Sequence, residues 1–212
     1  MEHYIDLKNK TEYDKINQVA EILKQGGVVV FPTETVYGIG ADCFNSEAVE
    51  RIYEIKNRSR EKAISVLISN LEMVDDLAID ISKEERKIMK KFFPGPLTII
   101  LKKSNKVSNI VTAGKDTVGV RMPENEIALK LIELVGRPLA TPSANLSGEP
   151  SGIELNQIMK SFGEKVDYYI DGGKSKFATP STIVKLENGE IQILREGVIT
   201  KEDIEKVLEE VD

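Results

Sequence analysis

Four consecutive apolar residues, Val28-Val29-Val30-Phe31, constrain this chain more than any other stretch. A β-branched run without alternation predicts a short strand covered on both faces. Just before it, Ile16, Val19, Ala20 and Leu23 recur at helical spacing across 12–25, and Gly26-Gly27 stops that helix. A two-faced strand beside an amphipathic helix calls for a sheet with helices packed on it.

The rest of the sequence agrees. Helices are predicted over 46–56 (Val49, Ile52 and Tyr53 inward), 82–93, 125–135 and 201–210. Ser82 and Glu85 have capping-box spacing, Pro94 ends the second of these and Gly136 the third. Strands are predicted over 64–68, 97–102, 118–122, 138–141 and 166–170. Residues 182–194 read as a hairpin, because Asn188-Gly189 between apolar runs favours a type I′ turn. The expected fold class is α/β: a single domain with a twisted mixed sheet, parallel and antiparallel, and helices packed on it.

A chain of 212 residues suits one domain of this kind. No apolar run reaches the ~18–20 residues of a membrane-spanning helix. The opening MEHYIDLKNK lacks the basic-then-apolar order of a signal peptide. The lone Cys43 permits no internal disulfide, and a cytoplasmic location is expected. Net charge is −6, from 29 Lys+Arg against 35 Asp+Glu. That balance argues against a general nucleic-acid binder and leaves room for a local basic pocket.

Four features carry possible chemistry. After the Val28–Phe31 strand comes Pro32-Thr33-Glu34-Thr35 and then Tyr37-Gly38-Ile39-Gly40, a loop of hydroxyls, glycines and one carboxylate. Ligands of open α/β sheets bind at such carboxyl ends, though an ordinary turn would look similar. Lys56-Asn57-Arg58-Ser59-Arg60-Glu61-Lys62 puts four cations in seven positions. It is either favourable charge at a helix C-terminus or a phosphate clamp. Residues 140–151, ATPSANLSGEPS, supply hydroxyls and an amide on a loop. Arg121 lies in an otherwise apolar strand, and Arg195 follows another; each is on a solvent face or serves a ligand.

Two look-alikes fail. Gly172-Gly173-Lys174-Ser175 hints at a P-loop, but Tyr168 stands where that motif needs glycine. Gly38-Ile39-Gly40 begins a dinucleotide fingerprint, and Cys43 holds the third glycine position. With His3 and Cys43 the sole residues of their types, there is no zinc set and no histidine relay. An enzyme built from this chain works by positioning and electrostatics.

The segments PTETVYGIG (32–40), Lys56-x-Arg58 with Lys62, FFPGPLT (92–98), VGVRMP (118–123), ATPSANLSG (140–148), PSTIV (180–184) and LREG (194–197) resemble the Sua5/YrdC/YciO family, in order and over nearly the whole chain. The resemblance implies one YrdC-like domain over 1–212, with its core at about 12–200, of the short YrdC type without the extra C-terminal Sua5 domain. It implies formation of L-threonylcarbamoyladenylate and pyrophosphate from L-threonine, bicarbonate and ATP. The product would pass to the tRNA threonylcarbamoyl transferase machinery for t6A modification.

By residue, the resemblance implies that Lys56, Arg58 and Lys62 form the catalytic cation group. ATP would be held by Arg58, Lys62, Thr117, Ser143, Asn145, Ser151 and Arg195, and threonine by Thr35, Arg121, Thr141 and Ser181. Mg2+ is expected with ATP, with no ligands identified. Where the family often has proline this chain has Ser59 and Ala63, and where many members have histidine it has Leu67. These departures admit a YciO-like paralogue of different activity. A non-catalytic double-stranded RNA or tRNA module is a further alternative, which the acidic balance opposes. No membrane association is expected.

Overall fold

The computed structural model describes residues 3–8, 13–187 and 189–209. Ten strands are described: β1 (Tyr4–Asp6), β2 (Val29–Phe31), β3 (Gly38–Asp42), β4 (Val66–Leu67), β5 (Leu97–Lys102), β6 (Thr117–Arg121), β7 (Leu139–Ala140), β8 (Tyr168–Asp171), β9 (Thr182–Glu187) and β10 (Glu190–Arg195). They join in one sheet, ordered β1-β8-β2-β3-β7-β4-β6-β5-β9-β10. β1 and β2 run parallel to β8, β4 to β6 and β5 to β9; the other neighbours are antiparallel. The sheet is mixed, as expected.

Among the described residues eight α-helices accompany it: α1 (Ile16–Lys24), α2 (Ser46–Lys56), α3 (Val74–Leu77), α4 (Lys83–Phe92), α5 (Asn109–Thr112), α6 (Glu126–Val135), α7 (Leu155–Phe162) and α8 (Lys201–Glu209). Asn45 caps α2 by accepting from the Ala48 amide, and Asn125 caps α6 by accepting from Ala128. Ser82 and Glu85 form the anticipated capping box on α4. Among the described residues no helix is long and apolar enough to cross a membrane.

The opening strand shows why its sequence does not alternate. Val28 and Val30 are buried on one side of the sheet, in a continuous core to which α2, α4, α7 and α8 also contribute. Val29 and Phe31 are buried on the other, among residues of α1 and α6. Burying such a side chain is worth about 1.5–3 kcal/mol. Towards the other end the two faces differ. Val66, Leu97, Ile99, Leu101, Val118, Val120 and Val184 point into the α2/α4 core. The alternate positions mix apolar Leu67, Ile100 and Ile183 with Ser65, Thr98, Gly119 and Arg121, which are small or polar. That second face is where a cavity opens.

Several elements differ from the sequence reading. Gly38-Ile39-Gly40 was expected as loop and lies in β3, paired with β2 in the register Phe31 to Gly38. Its glycines serve packing: a Cβ on Gly40 would stand 2.6 Å from the Phe31 ring and 3.0 Å from Thr141 Oγ1. β1, α3, α5 and α7 are additional elements. α7 buries Leu155, Ile158 and Phe162 at helical spacing but has no side-chain cap to announce it. The expected strand 64–68 pairs formally only at Val66–Leu67. The Ser65 carbonyl and Ile68 amide nevertheless bond to Thr141 and Arg121. The 182–194 hairpin forms; Asn188 lies outside the described residues, while Gly189 has φ +83°. Residue 12 of the first predicted helix and residue 210 of the last also lie outside them.

Candidate functional site

Five segments converge on one cavity of about 190 Å³. The first is the turn 32–37 joining β2 to β3. The Thr33 hydroxyl donates to the Val36 carbonyl at 2.6 Å and accepts from the Thr35 and Val36 amides at 3.3 Å. This fixes the turn, with Thr35 at the cavity wall.

The second follows α2. Asn57 ends the helix in the left-handed conformation, φ 49°, which asparagine tolerates better than most residues. The chain then doubles back, so that Arg58 donates to the carbonyls of Lys62 (3.1 Å) and Ala63 (2.8 Å). Burial lowers the Arg58 guanidinium's pKa from its ordinary value.

The third segment, 141–152, leaves β7 with Thr141 and Ser143 on the wall. Lys56 fastens it: its ammonium donates to the Ser143 carbonyl at 2.6 Å and also to that of Asn145. Lys56 is 1% exposed. Burial, then the Arg58 charge, pushes its pKa down to about 7. The Asn145 side chain braces the same loop, its carbonyl accepting from the Ser143 hydroxyl at 2.5 Å.

The fourth is the sheet face. Arg121, 7% exposed, ends β6. Its Nε donates to the Gly95 carbonyl at 3.3 Å, and Nη2 lies 2.7 Å from Glu34 Oε1. That contact is off the N–H axis: neither Glu34 oxygen accepts an aligned hydrogen bond, and Nη2 donates none. Thr117 and Gly119 share Arg121's face of β6. A Cβ on Gly119 would meet Thr98 at 3.2 Å and the Ser65 hydroxyl at 3.4 Å, so glycine keeps the floor low.

The fifth is the β9/β10 end. A register shift between Ile193 and Arg195 turns Leu194 outward, 56% exposed, and aims Arg195 at the cavity. Arg195 clasps Ser181, donating to its carbonyl at 2.7 and 3.0 Å and its hydroxyl at 3.0 Å. The Ser181 hydroxyl also bonds Thr98 at 2.8 Å. Burial, and then Arg121, lower the Arg195 pKa.

Thr35, Arg58, Arg121, Thr141, Ser143, Ser151, Ser181 and Arg195 therefore meet on one wall. Lys56 lies behind it as a fastener, Asn145 braces the loop, Lys62 is exposed outside it, and Thr117 sits farther along β6. Sequence reasoning missed Ser65, Thr98 and Ile183, whose strands read as plain core. For Ser65 and Thr98 the signal is a polar residue alternating with apolar ones; Ile183 carries no such signal. It also missed Glu34 as the partner of Arg121.

Three guanidiniums face this space beside one neighbouring carboxylate, so the cavity attracts anions. It is smaller than the ~300–1,000 Å³ sites that enclose drug-sized ligands. Among the described residues no group of three His, Cys, Asp or Glu is placed to hold a metal. A larger hollow of about 920 Å³ lies elsewhere, near His3, Gly26, Gly163 and Tyr169. Its Arg51 and Asp167 are paired with each other at 2.9 Å, and it gathers no comparable set of hydroxyls and cations.

A twisted mixed sheet bearing an arginine-lined, hydroxyl-rich cavity defines an α/β protein with a pocket suited to anionic groups. The chain belongs to the Sua5/YrdC/YciO family: the family model, described as telomere recombination, matches residues 21–197. It is 42% identical over 207 residues to the threonylcarbamoyl-AMP synthase of Pyrococcus abyssi, covering 98% of this chain and 61% of that protein. It is 39% identical over 208 residues to the threonylcarbamoyl-AMP synthase of Bacillus subtilis, covering 97% and 60%. The chain thus spans about 60% of the length of these relatives. The solved structure of P. abyssi Sua5 complexed with L-threonine matches with a TM-score of 0.94 at 42% identity, covering 98% of this chain and 61% of that one.

Proposed function

We propose that this chain is a nucleotidyltransferase that makes L-threonylcarbamoyladenylate from L-threonine, bicarbonate and ATP. Its product would serve t6A modification of tRNA in the cytoplasm through a downstream transferase. The observation that carries this reading is the convergence of Arg58, Arg121 and Arg195 on one hydroxyl-lined cavity. The names of the relatives and the threonine held by P. abyssi Sua5 support it.

In this reading Arg121 takes the threonine carboxylate through its planar fork, with Thr35, Thr141 and Ser181 around the rest of the amino acid. The amine combines with bicarbonate to give a carbamate and water. A carbamate oxygen attacks the α-phosphorus of ATP, and pyrophosphate leaves. The nucleophile is already an anion, so no histidine base is needed. What the protein must supply is alignment of two anions and positive charge for the transition state. Arg58, Arg195, Ser143 and Ser151 at the mouth meet that need. Lys62, exposed in the same loop, and Thr117, on the Arg121 face of β6, would reach outlying parts of the nucleotide. Lys56 and Asn145 would act by holding Ser143 in place.

The Mg2+ expected with ATP finds no carboxylate set here. Glu34, the carboxylate beside the cavity, already faces Arg121. The charge neutralisation above rests on the arginines.

Incubation with ATP, bicarbonate and threonine should yield threonylcarbamoyl-AMP and pyrophosphate. Arg58→Ala should slow the reaction by ~10²-fold or more, as for loss of one preorganised electrostatic contact. No threonine-dependent pyrophosphate from the wild type would overturn the reading.

A further inference from the structure

Glu34 does not line the cavity itself but stands just behind its wall, against Arg121, and the reaction above leaves it without a task. It is 3% exposed. Burying a carboxylate is costly unless its oxygens are hydrogen-bonded, and neither oxygen of Glu34 accepts a bond here. The turn that carries it is held in place: the Thr33 hydroxyl donates to the Val36 carbonyl, and the Glu34 carbonyl accepts from the Phe177 amide at 2.9 Å. Arg121, 2.7 Å away, is equally under-satisfied at Nη2. Two buried, opposite charges therefore stand side by side with donor and acceptor capacity to spare.

An α-amino acid carries the complementary pair, a carboxylate and an ammonium one carbon apart. A ligand whose carboxylate docks on Arg121 brings its ammonium next to Glu34, and both sets of idle groups gain partners. A ligand with a carboxylate alone meets an arginine already partly neutralised, and the negative charge of Glu34 opposes it. The discrimination is both an attraction for the zwitterion and a repulsion for the simple acid.

We propose that Glu34 is a positioning residue that makes the cavity selective for α-amino acids over carboxylic acids without an amino group. It acts by orienting Arg121 and receiving the ammonium. The inference rests on the reading of this cavity as an amino-acid site and adds the group that recognises the amine.

Calorimetric titration with L-threonine and with 3-hydroxybutyrate, which is threonine without its amino group, tests it on the wild type, Glu34→Gln and Glu34→Asp. The wild type should favour threonine by at least tenfold. Glu34→Gln, equal in shape but uncharged, should bind threonine at least tenfold more weakly while 3-hydroxybutyrate holds or tightens. Glu34→Asp should keep the preference, because the charge remains. A purely structural role would instead weaken both ligands together and lower the melting temperature in step. A preference that survives in Glu34→Gln, or equal binding of both acids by the wild type, overturns the inference and leaves the amino-acid site standing. If the wild type binds no threonine, the functional reading itself falls and takes this inference with it. Should Glu34→Gln fail to fold, Glu34→Ala takes its place in the same two titrations with the same expected and overturning outcomes.

Discussion

Arg121 shows how much a single residue can disclose. A cation in an apolar strand was legible as an anomaly, and the structure places it buried, at the wall, with its fork incompletely used. Its partner Glu34 was not legible. A lone carboxylate between threonines looks like any turn residue, and only the register of β2 against β3 puts it beside β6. Arg121→Lys keeps the charge and loses the planar fork. Charge-assisted contacts are worth about 1.5–3 kcal/mol, so threonine affinity should fall by roughly ten- to a hundredfold. ATP affinity measured alone should be nearly unchanged. Separate titrations of the two ligands check this: unaltered threonine binding would remove Arg121 from the amino-acid site.

Among elements, the loop 141–152 and helix α2 form one unit, and Lys56 joins them. The sequence put Lys56 in a cluster of cations and could not separate it from Arg58. The helix does so: Lys56 is still inside α2 and turned to the core, while Asn57 redirects Arg58 to the cavity. Below about pH 7 the buried ammonium is charged in both folded and unfolded chains, and its desolvation penalty is fully present. Between about 7 and the unfolded value near 10.4, the unfolded chain binds the extra proton, so stability rises with pH. Lys56→Met lacks that slope. Urea unfolding at about pH 6 and about pH 9 should show the wild type gaining on the variant as pH rises. A constant difference would mean that the carbonyls of Ser143 and Asn145 hold the proton throughout. The variant should also exchange the Ser147 amide faster, since that amide donates to the Lys56 carbonyl in the fastened arrangement.

At the scale of the molecule, one sheet serves two purposes. One face of β4, β5, β6 and β9 feeds the core under α2 and α4; the other is the floor of the cavity. Core and site therefore share a backbone. Ile99, fully buried at the centre of β5, lies one position beyond Thr98 and points the other way. Ile99→Ala should cost about 2–5 kcal/mol of stability. Unfolding followed by backbone signal and by loss of ligand binding should give coincident transitions, because no part of the floor survives without that core. Ligand binding lost well before the backbone signal would show that the site melts separately.

The sequence by itself determined the local features: the two-faced strand 28–31, the capped helices, the hairpin 182–194 and the order of motifs that marks the family. These depend on spacing and on caps a few residues away, and such information is written in neighbours. Only the tertiary structure decided which of the marked residues share a space. It turned Gly38-Ile39-Gly40 from a loop into a strand, since glycines there make room for Phe31 and Thr141 arriving from other elements. It drew Lys56 into the core and left Lys62 outside the cavity. It brought Glu34 to Arg121 across 87 positions of sequence, a pairing set by strand register. Register follows from which face each strand must bury, and burial depends on the whole sheet at once.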